Sequence, residues 1–208
     1  MSSGSGSRPP VALLDYGAGN LRSVENALRT LGSEVVVTRD PEVVRRSDQL
    51  VVPGQGSMPA CAEAMRKSGV SEALGEAVQR GAKVLGICVG LQILFEKGEE
   101  GGGSTGLGYL PGMVAKLPSN VRLPNIGWSQ VKLVAGAAHP LFSPMDGQYV
   151  YFAHSFAAPA EAPGAILLAE HGRPYCAGLA HGNLFGVQFH PEKSQKVGLA
   201  FLERFLRL

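Results

Sequence analysis

The sequence predicts an α/β fold: one domain over residues 11–208, with a mostly parallel central sheet flanked by helices and antiparallel strands added in the second half. Three observations predict it. Short apolar runs alternate with segments of helical periodicity through the first hundred residues, the rhythm of a parallel sheet with right-handed crossovers. Glycines close the helical segments at Gly32 and Gly81. After residue 113 the apolar runs shorten and are separated by Gly/Pro turns, the pattern of antiparallel additions.

The elements follow in order. Val11–Asp15 reads as a strand ending in the turn Tyr16-Gly17-Ala18-Gly19-Asn20, and Leu21, Val24, Leu28 and Leu31 recur at helical spacing. Glu34–Thr38 carries three consecutive valines, expected of a strand buried on both faces. Asp40-Pro41 begins a short helix through Ser47, Gln49–Val52 is the third strand, and helical stretches run from Pro53-Gly54-Gln55-Gly56 to about Arg80. Lys83–Ile87 is the fourth strand, with a helix expected over Val89–Lys97. Gly98–Gly108, with six glycines, reads as a loop. Met113–Leu117, Val131–Val134, Tyr149–Phe156, Ala165–Glu170 and Leu184–Phe189 read as the added strands. Lys196–Leu208 closes the chain as a helix with Val197, Ala200, Phe201, Phe205 and Leu208 on one face.

Composition excludes several classes of function. A net charge of +2 with scattered basic residues gives no footprint for nucleic acid. No apolar run approaches the ~20 residues that span a bilayer. Residues 1–10 are Ser/Gly/Pro-rich without an apolar core, so a disordered leader rather than a signal peptide is expected, and the cytoplasm is the expected location. Cys61, Cys88 and Cys176 lack the spacing of a disulfide framework or zinc site, and no metal or other cofactor is expected. Gly17-Ala18-Gly19-Asn20 lacks the third glycine of a dinucleotide loop and reads as a structural turn or an interface loop.

Gly86-Ile87-Cys88-Val89-Gly90 is the sharpest signal for chemistry. A strand meets a glycine-flanked nucleophile and a helix starts at once, as in a nucleophile elbow with Cys in place of Ser. Small neighbours are needed on so tight a turn, and the helix start behind the sulfur favours negative charge. The pentapeptide alone fits a buried structural cysteine equally well. Phe189-His190-Pro191-Glu192 supplies the second element. Pro191 biases His190 toward an extended conformation, where residues two apart project to one side, so Glu192 can orient the His190 imidazole. His139, His171 and His181 read as loop residues, and His154 as a structural or substrate-lining group in a strand. The Pro53–Gly56 loop lies at the carboxyl end of the third strand, where ligands bind in such sheets. Its glycines let backbone amides approach a reacting carbonyl oxygen.

Taken together, GICVGLQ around Cys88, PGQG and the closing GVQFHPEKS resemble the class I glutamine amidotransferase family. The segments Asp15–Val24 (DYGAGNLRSV), Arg122–Val131 (RLPNIGWSQV) and Tyr151–Phe156 (YFAHSF) resemble its histidine-biosynthesis branch, and the likeness runs through nearly all of residues 11–208. The resemblance implies the family's single-domain fold and a Cys88–His190–Glu192 triad acting on L-glutamine. It further implies oxyanion-loop amides from Gly54, Gln55 and Gly56, and a glutamine site formed by Gln92 with backbone around His154, Ser155 and Phe156. It implies a (β/α)8-barrel cyclase partner that receives the ammonia, faced by Asn20, Lys193 and an Asn125–Trp128 loop. The sequence departs from the family's usual His at Asn125, Leu at Val89 and frequent Val at Gln55.

Two rival readings differ in class or pathway. An amidotransferase feeding anthranilate or pyridoxal phosphate synthesis would share the triad, but DYGAGNLRSV and YFAHSF favour the histidine branch. A flavodoxin-like binding or chaperone domain with an oxidation-sensing cysteine would need no His-Pro-Glu after its last strand.

Overall fold

The computed structural model describes residues 9–17 and 20–208. Most of the expected leader, residues 1–8, and the centre of the first turn, Ala18-Gly19, lie outside the described residues.

The first half builds the parallel core. β1 (Val11–Leu14) is buried along its whole length, and α1 (Leu21–Thr30) buries Val24, Ala27 and Leu28. Gly32, at φ 77°, then turns the chain into β2 (Val35–Thr38). β2 is an edge strand, not the doubly buried one its valines suggest: among the described residues it pairs only with β1, and Val37 is 40% exposed. α2 (Pro41–Arg46) starts where the Asp40 carboxylate accepts the Glu42 N–H at 2.9 Å, with Pro41 in the first turn. β3 (Gln49–Val52), α3 (Met58–Lys67), α4 (Val70–Gln79) and β4 (Lys83–Ile87) follow as expected.

The segment after β4 departs from expectation. α5 is one turn, Val89–Gln92, and Phe95–Gly98 is a strand, β5, rather than the end of a helix. Parallel pairing to β7 (Leu110–Lys116) takes precedence over helical propensity there. The glycine-rich stretch between them contains β6 (Ser104–Thr105), which pairs with β5. Close approach accounts for one of its glycines: a Cβ at Gly106 would lie 1.9 Å from the Phe95 carbonyl oxygen.

The second half contains β8 (Asn125–Gln130), β9 (Lys132–Leu133), β10 (Tyr149–His154), β11 (Phe156–Ala157), β12 (Ala165–Glu170), β13 (Pro174–His181) and β14 (Leu184–Val187), before α6 (Gln195–Phe205). Asn125–Trp128 is therefore strand, not loop. Ser155 divides the expected Tyr149–Phe156 strand in two. His181 ends the strand β13 instead of lying in a loop.

The main sheet has the order β2-β1-β3-β4-β14-β13-β12-β9. Its first five strands are parallel, and β13, β12 and β9 continue it antiparallel. Two small sheets, β10-β8 and β11-β7-β5-β6, stand beside it. Among the described residues no helix is long and apolar enough to cross a membrane. The register that matters for chemistry pairs Ile87 with Val187, so Cys88 and Gln188 leave adjacent parallel strands side by side.

Candidate active site

Cys88 occupies the turn between β4 and α5 at φ 54° and ψ −112°, a left-handed backbone that a non-glycine residue holds only under strain. Its N–H donates to the Val187 carbonyl at 2.8 Å, tying the elbow to β14. The surrounding glycines are required by close approach. A Cβ at Gly90 would fall 1.9 Å from the Val52 carbonyl oxygen, and one at Gly86 would fall 2.7 Å from the Gly90 carbonyl oxygen. A Cβ at Gly54 would fall 2.0 Å from the Gly90 nitrogen. The Pro53–Gly56 loop is thus pressed backbone to backbone against the elbow.

The chain beyond β14 supplies the imidazole. Phe189 turns into the core, with ring centroids 6.1 Å from Phe152 and 5.6 Å from Phe201. Aromatic contacts of this kind contribute ~0.5–1.5 kcal/mol each beyond their burial, which anchors the segment. Gln188 and His190 accordingly face the sulfur on either side of that anchor. His190 Nδ1 stands 2.8 Å from Glu192 Oε1, with the Glu192 side chain 1% exposed. Burial works against a charged imidazole here. Hydrogen bonding to Cys88 and to Glu192, with the charges of both, outweighs it and pushes His190 up to about 10.

The expected site residues converge. Gly54, Gln55, Gly56, Cys88, His190 and Lys193 line one cleft of about 120 Å³. A neighbouring cleft of about 200 Å³ is lined by Gly56, Gln92, His154, Ser155 and Phe156. The Phe156 carbonyl organises that wall: it accepts from Gln92 Nε2 at 2.8 Å and lies 2.9 Å from His154 Nδ1. Burial lowers His154 to about 4, so the ring is neutral, with its proton on Nδ1 facing the carbonyl. A larger cavity of about 610 Å³ lies at the opposite end of the strands, by Gln49, Arg80, Lys83 and Leu208. No cysteine, serine or histidine lies among the described residues that line it, and its size alone marks no chemistry.

The residues expected to face a partner are divided. Trp128 is 46% exposed, Lys193 is exposed, and Asn20 is half-buried at the start of α1. Asn125 is buried instead, because alternation along β8 points it inward while Ile126 and Trp128 point out. Its amide nitrogen lies 3.4 Å from His154 Nε2 and donates to the Tyr175 hydroxyl at 3.3 Å.

Other residues of the site are not singled out by the sequence. Gln188 donates from Nε2 to the Cys88 sulfur at 3.7 Å; its spacing of two from His190 is the signal that could have found it. Two side chains hold the Pro53–Gly56 loop from behind. The Tyr16 hydroxyl donates to the Pro53 carbonyl, and the Cys61 thiol donates to the Gln55 carbonyl at 3.3 Å. Burial raises Tyr16 well above its ordinary value and raises Cys61 as well, which keeps both as protonated donors. No local motif announces either role.

The chain matches the family described as glutamine amidotransferase class-I over residues 12–207. It is 44% identical to imidazole glycerol phosphate synthase subunit HisH of Caulobacter vibrioides, covering 94% of this chain and 97% of the relative. Identity to the HisH subunit of Symbiobacterium thermophilum is 42%, covering 95% and 93%. Among solved structures, a glutamine amidotransferase superposes with a TM-score of 0.72 at 22% identity, covering 94% of this chain and 98% of that one. The structure of PurLQS from Thermotoga maritima superposes at 0.71 and 23% identity, covering 96% and 98%. The chain is a glutamine amidotransferase of the class I family and belongs, within it, with the HisH subunits of imidazole glycerol phosphate synthase.

Proposed function

We propose that Cys88, His190 and Glu192 hydrolyse L-glutamine through a thioester and that the ammonia passes to a (β/α)8-barrel cyclase subunit. The observation that carries the reading is the buried His190–Glu192 contact at 2.8 Å in a cleft shared with a strained Cys88. The sulfur attacks the side-chain amide carbon of glutamine, and the developing oxyanion lies against the backbone amides of Gly54, Gln55 and Gly56. The His190 imidazolium gives its proton to the departing ammonia, leaving a glutamyl thioester. Acylation removes the sulfur's charge and with it part of what holds the imidazole protonated. His190 can then take a proton from water, which attacks the thioester to release glutamate and free the thiol. Glu192 keeps the ring in one orientation throughout.

Gln92 and the backbone around His154, Ser155 and Phe156 form the wall that receives the rest of the substrate. The outward face of β8 and β10 supports docking of the cyclase. Ile126, Trp128 and Tyr149 are exposed there, Trp128 packs edge-on against Tyr151 at 6.1 Å, and Lys193 Nζ sits 5.8 Å from the Tyr151 ring centroid. An exposed aromatic patch beside a catalytic cleft is the surface a partner covers. Asn20 joins it through α1, which packs on the turn carrying Lys193. Within the proposed pathway the cyclase uses the ammonia to form imidazole glycerol phosphate and an aminoimidazole carboxamide ribotide, in the cytoplasm.

The test is direct detection of the intermediate. The chain, bound to the cyclase and its ligand, is mixed with glutamine, quenched rapidly in acid and digested. The Cys88 peptide is expected to carry a glutamyl mass; that mass on another residue, or on none, contradicts the reading.

A further inference from the structure

Gln188 is fully buried, touches the reacting sulfur, and is not a member of the triad. Its orientation can be deduced from one backbone group. The Phe156 carbonyl only accepts, so the Gln92 amide must present its nitrogen there, at 2.8 Å. The same Gln92 nitrogen lies 3.1 Å from Gln188 Oε1, which accepts its second N–H. With its oxygen committed to Gln92, Gln188 has one way to face: its NH₂ group points at Cys88 Sγ, 3.7 Å away. The usual ambiguity of a glutamine amide is removed by the network.

We propose that Gln188 is a further catalytic residue whose amide NH₂ donates to the Cys88 sulfur and holds it as a thiolate, with its polarity fixed through Gln92 by the Phe156 carbonyl. The proposal rests on the reading of Cys88 as the nucleophile. The geometry gives the sulfur a neutral donor as well as His190. A donor that cannot itself titrate holds the charge on sulfur without competing for the proton that His190 must deliver to ammonia. It also ties the thiolate to the substrate wall, because Gln92 and Phe156 line the adjoining cleft. A buried polar chain in which each partner is satisfied is rigid, and a rigid donor favours one side-chain rotamer of the cysteine.

The test reads the thiol itself. Alkylation of Cys88 by iodoacetamide is followed on its tryptic peptide as a function of pH, in the folded wild type, Gln188→Met and Gln188→Glu. Methionine keeps the length and removes the donor; the half-maximal pH is expected to rise by about one unit, tenfold in thiolate stability. Glutamate places an acceptor where the donor was, and a larger rise is expected. With the cyclase bound, Gln188→Met should lower kcat at pH 7 about tenfold and change KM for glutamine less than twofold. Should both variants unfold, Gln92→Leu frees the Gln188 amide to turn over and should shift the profile in the same direction. A wild-type alkylation profile in the folded variants overturns the proposal. Failure of the underlying reading is distinguishable, because Cys88→Ala would then retain glutamine hydrolysis.

Discussion

Glu192 Oε1 lies 2.8 Å from His190 Nδ1, two residues away along the chain, with both side chains almost sealed from solvent. A buried carboxylate at that distance fixes which ring nitrogen carries the proton and sustains the charged imidazole. Glu192→Gln retains the shape and loses the charge, and is expected to lower glutamine turnover by roughly 10²–10⁴-fold. Steady-state kinetics with the cyclase bound checks it; a loss below fivefold would remove Glu192 from the triad.

The charge on His190, raised by Cys88 and by Glu192, predicts a pH dependence of stability, of which Glu192 supplies a part. His190 is raised from an ordinary 6.5 to about 10. A group raised by folding stabilises the native state fully below its unfolded value, and that contribution is lost as pH rises through the folded one. The window is therefore pH 6.5 to about 10. The difference in urea midpoint between wild type and Glu192→Gln should be largest at about pH 6 and shrink toward about pH 10. A difference that grows with pH contradicts the assignment of charge to His190.

Gly90→Ala tests the backbone contact between the elbow and the oxyanion loop. The new Cβ would meet the Val52 carbonyl oxygen at 1.9 Å, where the single turn of α5 presses on the end of β3 and the atom met is backbone. A loss above ~4 kcal/mol or failure to fold is expected. Denaturant unfolding reads the outcome, and a stable, active variant would show that the loop is not pressed against the elbow.

Much of this arrangement is legible in the sequence. The parallel half is, because Val11–Leu14, Gln49–Val52 and Lys83–Ile87 are short runs long enough for strands and too short for helices, each followed by a helical period. The elbow is, because a cysteine with glycines on both sides, set between a strand and a helix, marks a turn too tight for larger neighbours. The helix expected through Lys97 fails because Ile93, Leu94 and Phe95 serve either a helix face or a buried strand, and pairing to Leu110–Lys116 decides between them. Asn125–Gln130 hides as a strand because Pro124 and Gly127 resemble a turn; only its partner Tyr149–His154 makes it a ladder. Pro174–His181 begins with a proline and is rich in small residues, so its strand character comes from its two neighbours. Gln188 is marked only by its spacing of two from His190, since a glutamine acquires a role from what surrounds its two ends.

Asn125 is where the inward turn of β8 has a measurable cost. Asn125→Leu leaves His154 Nε2 and the Tyr175 hydroxyl with only their mutual 3.4 Å contact. A loss of about 1–2 kcal/mol in chemical denaturation is expected. An unchanged or higher stability would mean that the amide is not a working member of the cluster.

Trp128 is expected to act oppositely, through binding rather than folding. Exposed on its strand, it can be removed with little effect on the melting temperature. As an aromatic anchor in the proposed docking face, it should account for ~2 kcal/mol or more of affinity for the cyclase. Titration calorimetry of Trp128→Ala against the barrel subunit measures it. Wild-type affinity would move the interface elsewhere.

The thiol of Cys88 is proposed to make ammonia from glutamine for a partner that consumes it. Cys88→Ala, reconstituted with the cyclase, is to be assayed for product formation with glutamine and, separately, with an ammonium salt. Glutamine-dependent turnover is expected to disappear while ammonium-dependent turnover stays at the wild-type level; glutamine-dependent turnover that survives the substitution would contradict the claim.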